Sequence, residues 1–597
     1  MMTVFKERIA HLRGVMKQHA LDAWIVPTAD PHLSEYLPEH WQSRLWLSGF
    51  TGSAGTLVVC ADYAGLWADS RYWTQAQAQL AGSGIRLHKL GEDQDYPQWL
   101  ADHLPEAARI GVAADMLSQR NAEQLRQVFA AKKQILQCDT DLSHEVWTER
   151  PPLPRSEVYP HPPEFCGETA AAKLARVRAA MHEAGADHHL LSSLDDIAWL
   201  TNLRGSDVSH NPVFLAHLLI NDTQAVLFTD HTRISPAAQQ TLQTAGISLA
   251  PYHNIGATVA QLHGTLLCDP AKTAVSVLRH LPDSTSVLAQ INPSTLFKSC
   301  KTPAEITHIR QAMIQDGVAL CGFFAELEQK LADKVPLTEC DIDTLLIEHR
   351  SRQPHYVSPS FDTIAGFNAN GALPHYRATA EAHSTIEGDG LLLIDSGAQY
   401  LNGTTDITRV VPVGTPTAAH KRDFTLVLKA HIALARAVFP ENLPAPLIDS
   451  ICRLPLWQAQ CDYGHGTGHG VGYFLNVHEG PQVIACRTAA NPHHALKIGM
   501  LTSNEPGLYR PEQWGIRIEN LIITQAVAQP QESAFGKFLC FETVTLCPID
   551  TRLIDLALLD DGERAWLNGY HAEVRAKLYE HTTGAARAWL LQRTEAV

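Results

Sequence analysis

Four acidic residues of this chain end or interrupt segments that read as buried β-strands, where an uncompensated carboxylate is costly. In "LLLIDSGAQYLNGTTDITRVV" the apolar run 391–394 reads as a buried strand ending at Asp395, and 405–411 reads as a second strand carrying Asp406. The midpoint between the two aspartates falls at Tyr400 and Leu401, beside the turn signal Asn402-Gly403, so a hairpin there brings the carboxylates close across the strand pair. Like charges so placed repel. A cation between them removes the problem; the alternative is that Asp395 caps its strand and Asp406 faces water. Farther on, Glu505 in "SNEPGLY" follows the apolar Met500 and Leu501. Glu519 lies in "WGIRIENLIIT", a strand pattern with Ile516 and Ile518 on one face and Arg517 and Glu519 on the other. Taken alone, Glu519 reads as an ion-pair partner of Arg517. Four such acids in one stretch of chain read instead as a cation site.

The segment 464–472, "GHGTGHGVG", adds two imidazoles, His465 and His469. Four residues apart they would share a helix face, but each glycine disfavours helix by about 1 kcal/mol. Glycine does let a backbone pass close to a bound group and take dihedrals barred to other residues. One imidazole with four carboxylates gives an oxygen-rich set of five ligands, and bridging carboxylates in such a set hold two metals about 3.5–4 Å apart. A phosphate cradle fits less well: His469 falls where the third glycine of G-x-G-x-x-G belongs, and no lysine completes a Walker pattern; the zinc-protease pattern H-E-x-x-H is also absent.

The elements that must position these residues belong to a long chain. Its 597 residues exceed what one core supports. With 63 acidic against 47 basic residues, it is ill suited to a nucleic-acid or anionic-membrane surface. The N-terminus, with Phe5, Ile9, Leu12 and Met16 at helical spacing, reads as an amphipathic helix and not a secretory signal. Twelve scattered cysteines without a C-x-x-C pair read as reduced thiols, and the expected location is cytoplasmic. The proline cluster 151–163 reads as an extended linker. Segments on its two sides resemble each other: "LRGVMKQHALDAWIV" (12–26) with "VRAAMHEAGADHHLL" (177–191), and "WLSGFTGS" (46–53) with "WLTNLRGS" (199–206). This order suggests a duplicated α/β domain. A third unit opens at "CKTPAEITHIRQA", where Thr302 is the N-cap, Pro303 the first helical residue and Glu305 closes a capping box. The expected domains are 1–150, 151–300, 301–550 and a helical extension 551–597, which carries Trp566, Leu567, Tyr570, Trp589, Leu590 and Leu591.

Together, "GSDVSHNPVF", "DSGAQYLNGTTDITRVV", "HGTGHGVGYFLNVHEGP", "NEPGLY" and "GIRIENL" make nearly the whole chain resemble the pita-bread metallopeptidases of the three-domain aminopeptidase P (Xaa-Pro aminopeptidase) type. The resemblance implies a mixed α/β and α+β chain: two tandem creatinase-like domains, then a pita-bread catalytic domain. It implies two divalent metals, Mn²⁺ first with Zn²⁺ or Co²⁺ as alternatives, held by Asp395, Asp406, His469, Glu505 and Glu519. Asp406 and Glu519 would bridge, Asp395 would chelate one metal, and His469 and Glu505 would complete the other. It assigns His375 (in "LPHYRA"), His465 and His478 (in "NVHEG") to the substrate pocket. The implied reaction is release of the N-terminal residue from peptides with proline second, by metal-activated hydroxide attack. Glu505 would shuttle the proton, with His375 and His478 assisting. The resemblance further implies a homodimer through the catalytic domain, with the C-terminal extension contributing. The alternatives are a prolidase acting on Xaa-Pro dipeptides and a non-catalytic pita-bread module that binds peptides or histones.

Overall fold

The computed structural model describes residues 2–529, 532 and 534–597. The chain divides into two compact units, Met1–Pro163 with Glu168–Thr295, and Glu164–Gly167 with Leu296–Val597. The first unit holds two six-stranded sheets of the same topology. One runs Arg86–Lys89, Ala64–Ala68, Thr56–Cys60, Ala23–Pro27, Arg109–Val112, Ile135–Gln137; the other runs Ile247–Pro251, Ala225–Thr229, His217–Asn221, His188–Leu191, Gly264–Cys268, Thr285–Ala289. Corresponding pairs also agree in sense, with the first strand of each sheet in chain order antiparallel to the second and parallel to the fifth. The repeated sequence segments occupy equivalent places. Helices Ser43–Ser48 and Leu194–Thr201 both end on a left-handed residue, Gly49 (φ 73°) in one and Asn202 (φ 52°) in the other, the two residue types that tolerate this C-cap. The proline-rich segment is less free than a linker, because Tyr159–Pro160 pairs with Leu203–Arg204.

The second unit begins as its capping box predicts. The Thr302 hydroxyl accepts the Glu305 amide, the Glu305 carboxylate accepts the Thr302 amide, and the helix runs Pro303–Ala332. Its buried face, including Ile309, Met313, Phe323 and Phe324, belongs to one continuous core with the strands Gly390–Ser396 and Ile407–Val413. These strands are antiparallel, with Asp395 opposite Thr408. The hairpin that joins them turns at Leu401 and Asn402, one residue beyond the expected midpoint. It breaks into a second small sheet at Gly397, where a Cβ would stand 2.0 Å from the Thr405 carbonyl. A six-stranded antiparallel sheet supplies Gly468–Gly470, Leu501–Asn504 and Asn520–Ala526. "WGIRIENLIIT" is not one strand: Trp514–Arg517 pairs with Gly507–Arg510 in a separate ribbon, and Glu519 sits in the break before Asn520–Ala526.

The C-terminal helices Asp561–Leu578 and Gly584–Arg593 pack inward. Leu567, Tyr570, Trp589 and Leu590 join the same core, Trp589 stacks on Phe324 at 5.4 Å, and its indole N–H reaches Glu328 at 3.0 Å. Most of the apolar load of the extension is thus covered by its own domain, while Leu556, Leu558, Tyr579 and Leu591 are exposed. Among the described residues, no helix is long and apolar enough to cross a membrane.

Candidate metal centre

Strand pairing explains how four acids meet. Asp406 lies two residues before Thr408, the register partner of Asp395, so both aspartates project from the same face of the hairpin as diagonal neighbours. Asn504 pairs with Asn520, so the next residues outward, Glu505 and Glu519, leave adjacent strand ends side by side. The Glu519 amide donates to the Thr408 carbonyl at 3.2 Å and its carboxylate accepts the Thr408 hydroxyl at 2.8 Å, which ties the second pair of acids to the first.

His469 joins this set. Its Nε2 lies 3.6 Å from Asp406 Oδ2 and 3.4 Å from Glu505 Oε1. One ligand atom each of Asp406, His469 and Glu519 falls within 4.8 Å of the other two. The His469 amide donates to Ser503 Oγ at 3.0 Å, and that hydroxyl donates to Glu505 at 3.1 Å. The glycines serve close packing: a Cβ on Gly468 would meet the Ser503 carbonyl at 2.0 Å, and one on Gly470 the Glu479 carbonyl at 2.1 Å. None of the glycines in 464–472 takes a positive φ, so the special dihedrals expected of this run are not what it supplies.

Arg517 sets one positive charge among the acids, and its partner is Asp395 (2.5 Å), not Glu519. It also donates to Thr408 Oγ1 (3.1 Å) and the Tyr509 hydroxyl (2.7 Å). Asp395 Oδ1 remains buried without a hydrogen-bond partner. Burial, then Glu519, Asp395 and Glu505, raise the Asp406 carboxyl well above its usual range. Glu519 is raised in the same way by burial, Asp395 and Glu505. Glu505 is pushed up to about 7, chiefly by burial, with Arg517 opposing and Asp395 adding. An orphaned carboxylate oxygen and a set of crowded acids with one imidazole fit hard or borderline divalent cations.

Family models for the Creatinase/Prolidase N-terminal domain match residues 8–144 and 149–305, Metallopeptidase family M24 matches 307–526, and the C-terminal region of peptidase M24 matches 537–597. The chain is 38% identical to Aminopeptidase P2 of Arabidopsis thaliana over 99% of its own length and 88% of that protein's. It is 36% identical to Xaa-Pro aminopeptidase 1 of Dictyostelium discoideum, over 96% and 93%. The crystal structure of an X-prolyl aminopeptidase from Caenorhabditis elegans, described as a cytosolic enzyme with a di-nuclear active site, superposes with a TM-score of 0.94 at 30% identity and covers 99% of both chains. The chain belongs to the aminopeptidase P family of M24 metallopeptidases. Two creatinase-like domains and a pita-bread domain are therefore its fold.

The other three candidate histidines differ in their surroundings. The His478 ring lies 4.3 Å from that of His469 at 73°, and its charge opposes the rise of the Glu505 carboxyl. His465 reaches the cluster indirectly: its Nε2 lies 2.8 Å from the Tyr509 hydroxyl, which accepts from Arg517. Half-buried His375 precedes Tyr376, whose hydroxyl donates to the buried Glu339 carboxylate at 2.7 Å. Sequence reasoning missed Tyr509 and Thr408 as links in this network. Tyr509 lay inside the quoted "NEPGLY", but nothing local marks a tyrosine whose partners are 8 and 44 residues away.

The raised carboxyls give the metal-free chain a distinctive pH dependence. The Glu505 carboxyl is pushed up to about 7 in the folded chain from the 4.5 of an ordinary glutamate, so between these values the folded chain holds more protons than the unfolded one. The associated stability is present at low pH and lost as pH rises. Melting in the presence of a chelator is expected to move to lower temperature from about pH 5 to about pH 7.5, and saturating divalent metal is expected to reverse that slope because ligation needs ionised carboxylates. A chelated chain whose melting temperature stays flat or climbs across this window would contradict the arrangement.

Proposed function

We propose that the chain is a metalloaminopeptidase that releases the N-terminal residue from peptides with proline in the second position. The observation that carries this reading is the convergence of Asp395, Asp406, Glu505 and Glu519 with His469 in a buried, charge-crowded site. These five would hold two divalent ions; bound there, the ions would supply an activated hydroxide at neutral pH and an electrophile for the scissile carbonyl. Mn²⁺ suits the oxygen-rich set, while Zn²⁺ and Co²⁺ compete through higher intrinsic affinity. The Glu505 carboxylate, 3.4 Å from His469 Nε2 and accepting the Ser503 hydroxyl, would take and return a proton. His375 and His478 would stabilise the developing oxyanion and protonate the proline nitrogen, and His465 would line the pocket. Such a pocket is needed because a peptide bond to proline lacks the N–H by which an extended substrate is usually held. The acidic site also favours a free α-amine.

Purified chain loaded with Mn²⁺ is expected to release the first residue from an Xaa-Pro-Yaa tripeptide faster than it cleaves the Xaa-Pro dipeptide. Preference for the dipeptide would make it a prolidase, and metal occupancy without turnover would leave a binding module. Cytoplasmic residence belongs to the same reading, supported by the cytosolic nematode relative. So does the absence of nucleic-acid or membrane partners, on the ground of net charge −16. A homodimer is supported by a face other than the C-terminal extension: Ile451, Leu454 and Trp457 of the helix Asp449–Gln458, with Leu447 of the turn before it, form a stripe 37–53% exposed. The double variant Ile451→Asp, Leu454→Asp is expected to be monomeric by light scattering; an unchanged dimer, or a monomeric parent, would remove this face from the reading.

A further inference from the structure

The helix that carries this apolar stripe also buries a charged pair on its inner face, beside the core residues Cys452 and Leu456. Asp449 and Arg453, one turn apart, are each almost fully buried and ion-paired at 2.8 Å. Burying such a pair costs desolvation unless the remaining donors are met. Here they are met by the start of the glycine run. Arg453 Nη1 donates to the Asp462 carboxylate at 2.6 Å and the Tyr463 carbonyl at 2.8 Å, and Nη2 donates to the His465 carbonyl at 2.6 Å. The guanidinium also lies 3.8 Å from the Tyr463 ring centroid. The second oxygen of Asp449 accepts the Thr467 hydroxyl, and the Thr467 carbonyl accepts the Glu505 amide at 2.8 Å.

A glycine-rich segment has few side chains by which to be held and a backbone of high entropy when free. Its geometry must therefore be fixed through its carbonyls. His469 has its own restraints, in strand pairing and the Ser503 hydroxyl. His465 lies outside the strand Gly468–Gly470, and its carbonyl is held by Arg453. We propose that Arg453, oriented by Asp449, is the positioning residue of the substrate pocket: it sets the backbone at Tyr463 and His465 and through it the direction of the His465 imidazole. This rests on the reading of His465 as a pocket residue. Lysine cannot replace the fork, since one ammonium cannot span the two carboxylates and two carbonyls that the three guanidinium nitrogens hold.

The test uses Arg453→Lys, His465→Ala and the double variant in the metal-loaded enzyme. Arg453→Lys is expected to keep its metal content and to raise KM for Xaa-Pro-Yaa by about ten-fold, with kcat changed by about two-fold at most. In the His465→Ala background the same substitution should leave KM where it was, because the two act as a unit. Diethyl pyrocarbonate should modify His465 several-fold faster in Arg453→Lys than in the parent, with His478 unaffected, as read by peptide mass mapping. An unchanged KM, an equal KM effect without His465, or parental reactivity of His465 would overturn the proposal. A parent that cleaves no proline peptide would refute the proposed function instead, and the His465 reactivity would still decide this one. Should Arg453→Lys not fold, Asp449→Asn, which removes the charge that orients the guanidinium, carries the same expected rise in His465 reactivity and is overturned by parental reactivity.

Discussion

Asp406→Asn is expected to abolish turnover, lower the bound metal and raise the melting temperature of the metal-free chain. Asp406 is buried between two strands, near Glu519, Asp395 and Glu505, and its carboxyl is raised well above the usual range by burial and by those three neighbours. Asparagine keeps the shape and removes the charge that burial and crowding oppose. The metal-free fold should gain, by about 2 °C or more, since a gain of 1 kcal/mol moves a domain of this size by a few degrees. With metal the balance reverses, because a neutral amide cannot replace a bridging carboxylate. Activity should fall by about a thousand-fold or more, the scale of losing one preorganised electrostatic group. Metal content by mass spectrometry, melting with chelator and melting with metal separate the outcomes. Metal content equal to the parent's, or a metal-free variant that melts lower, would remove Asp406 from the cation site.

How far the centre was legible follows from the range of the forces involved. Apolar runs that stop at an acid are local patterns, so Asp395 and Glu505 stand out at strand ends without any tertiary knowledge. Register is less local. The hairpin is expected to bring Asp395 and Asp406 close across the strand pair, and the register makes them diagonal neighbours, with Asp395 opposite Thr408; the pairing changes sheet at Gly397, where a Cβ would meet the Thr405 carbonyl. The split at Ile518 and Glu519 was hidden by an unbroken alternating pattern; what breaks it is the departure of Trp514–Arg517 to a different sheet. Ion-pair partners were the least legible. Arg517 sits two residues from Glu519 but pairs with Asp395, 122 positions away, since strand alternation gives residues a shared face and says nothing of what crosses it. The C-terminal stripe showed that Leu567 and Tyr570 would be buried, and could not show that their own domain does the burying.

His465→Ala and His469→Ala are expected to differ in kind although both lie in one glycine-rich run. Four residues apart on a continuous strand they would share a face and compete for the same site. The strand begins only at Gly468, however, so His469 projects from a paired segment while His465 precedes it, its carbonyl held by Arg453. The imidazoles accordingly diverge: His469 Nε2 approaches Asp406 and Glu505, and His465 Nε2 approaches the Tyr509 hydroxyl. His469→Ala removes the nitrogen ligand of the set, so bound metal and turnover should fall together, turnover by about a thousand-fold. His465→Ala leaves all five donors in place, so metal content should match the parent while KM rises by about ten-fold through a loosened substrate. Tyr509 then loses its imidazole neighbour but keeps the Arg517 hydrogen bond at 2.7 Å, which preserves the orientation of Arg517 toward Asp395. Metal lost from His465→Ala and retained by His469→Ala would reverse the assignment of the two histidines. Metal lost equally from both would mean that the run acts as one rigid unit, with the glycine backbone, more than either side chain, holding the site.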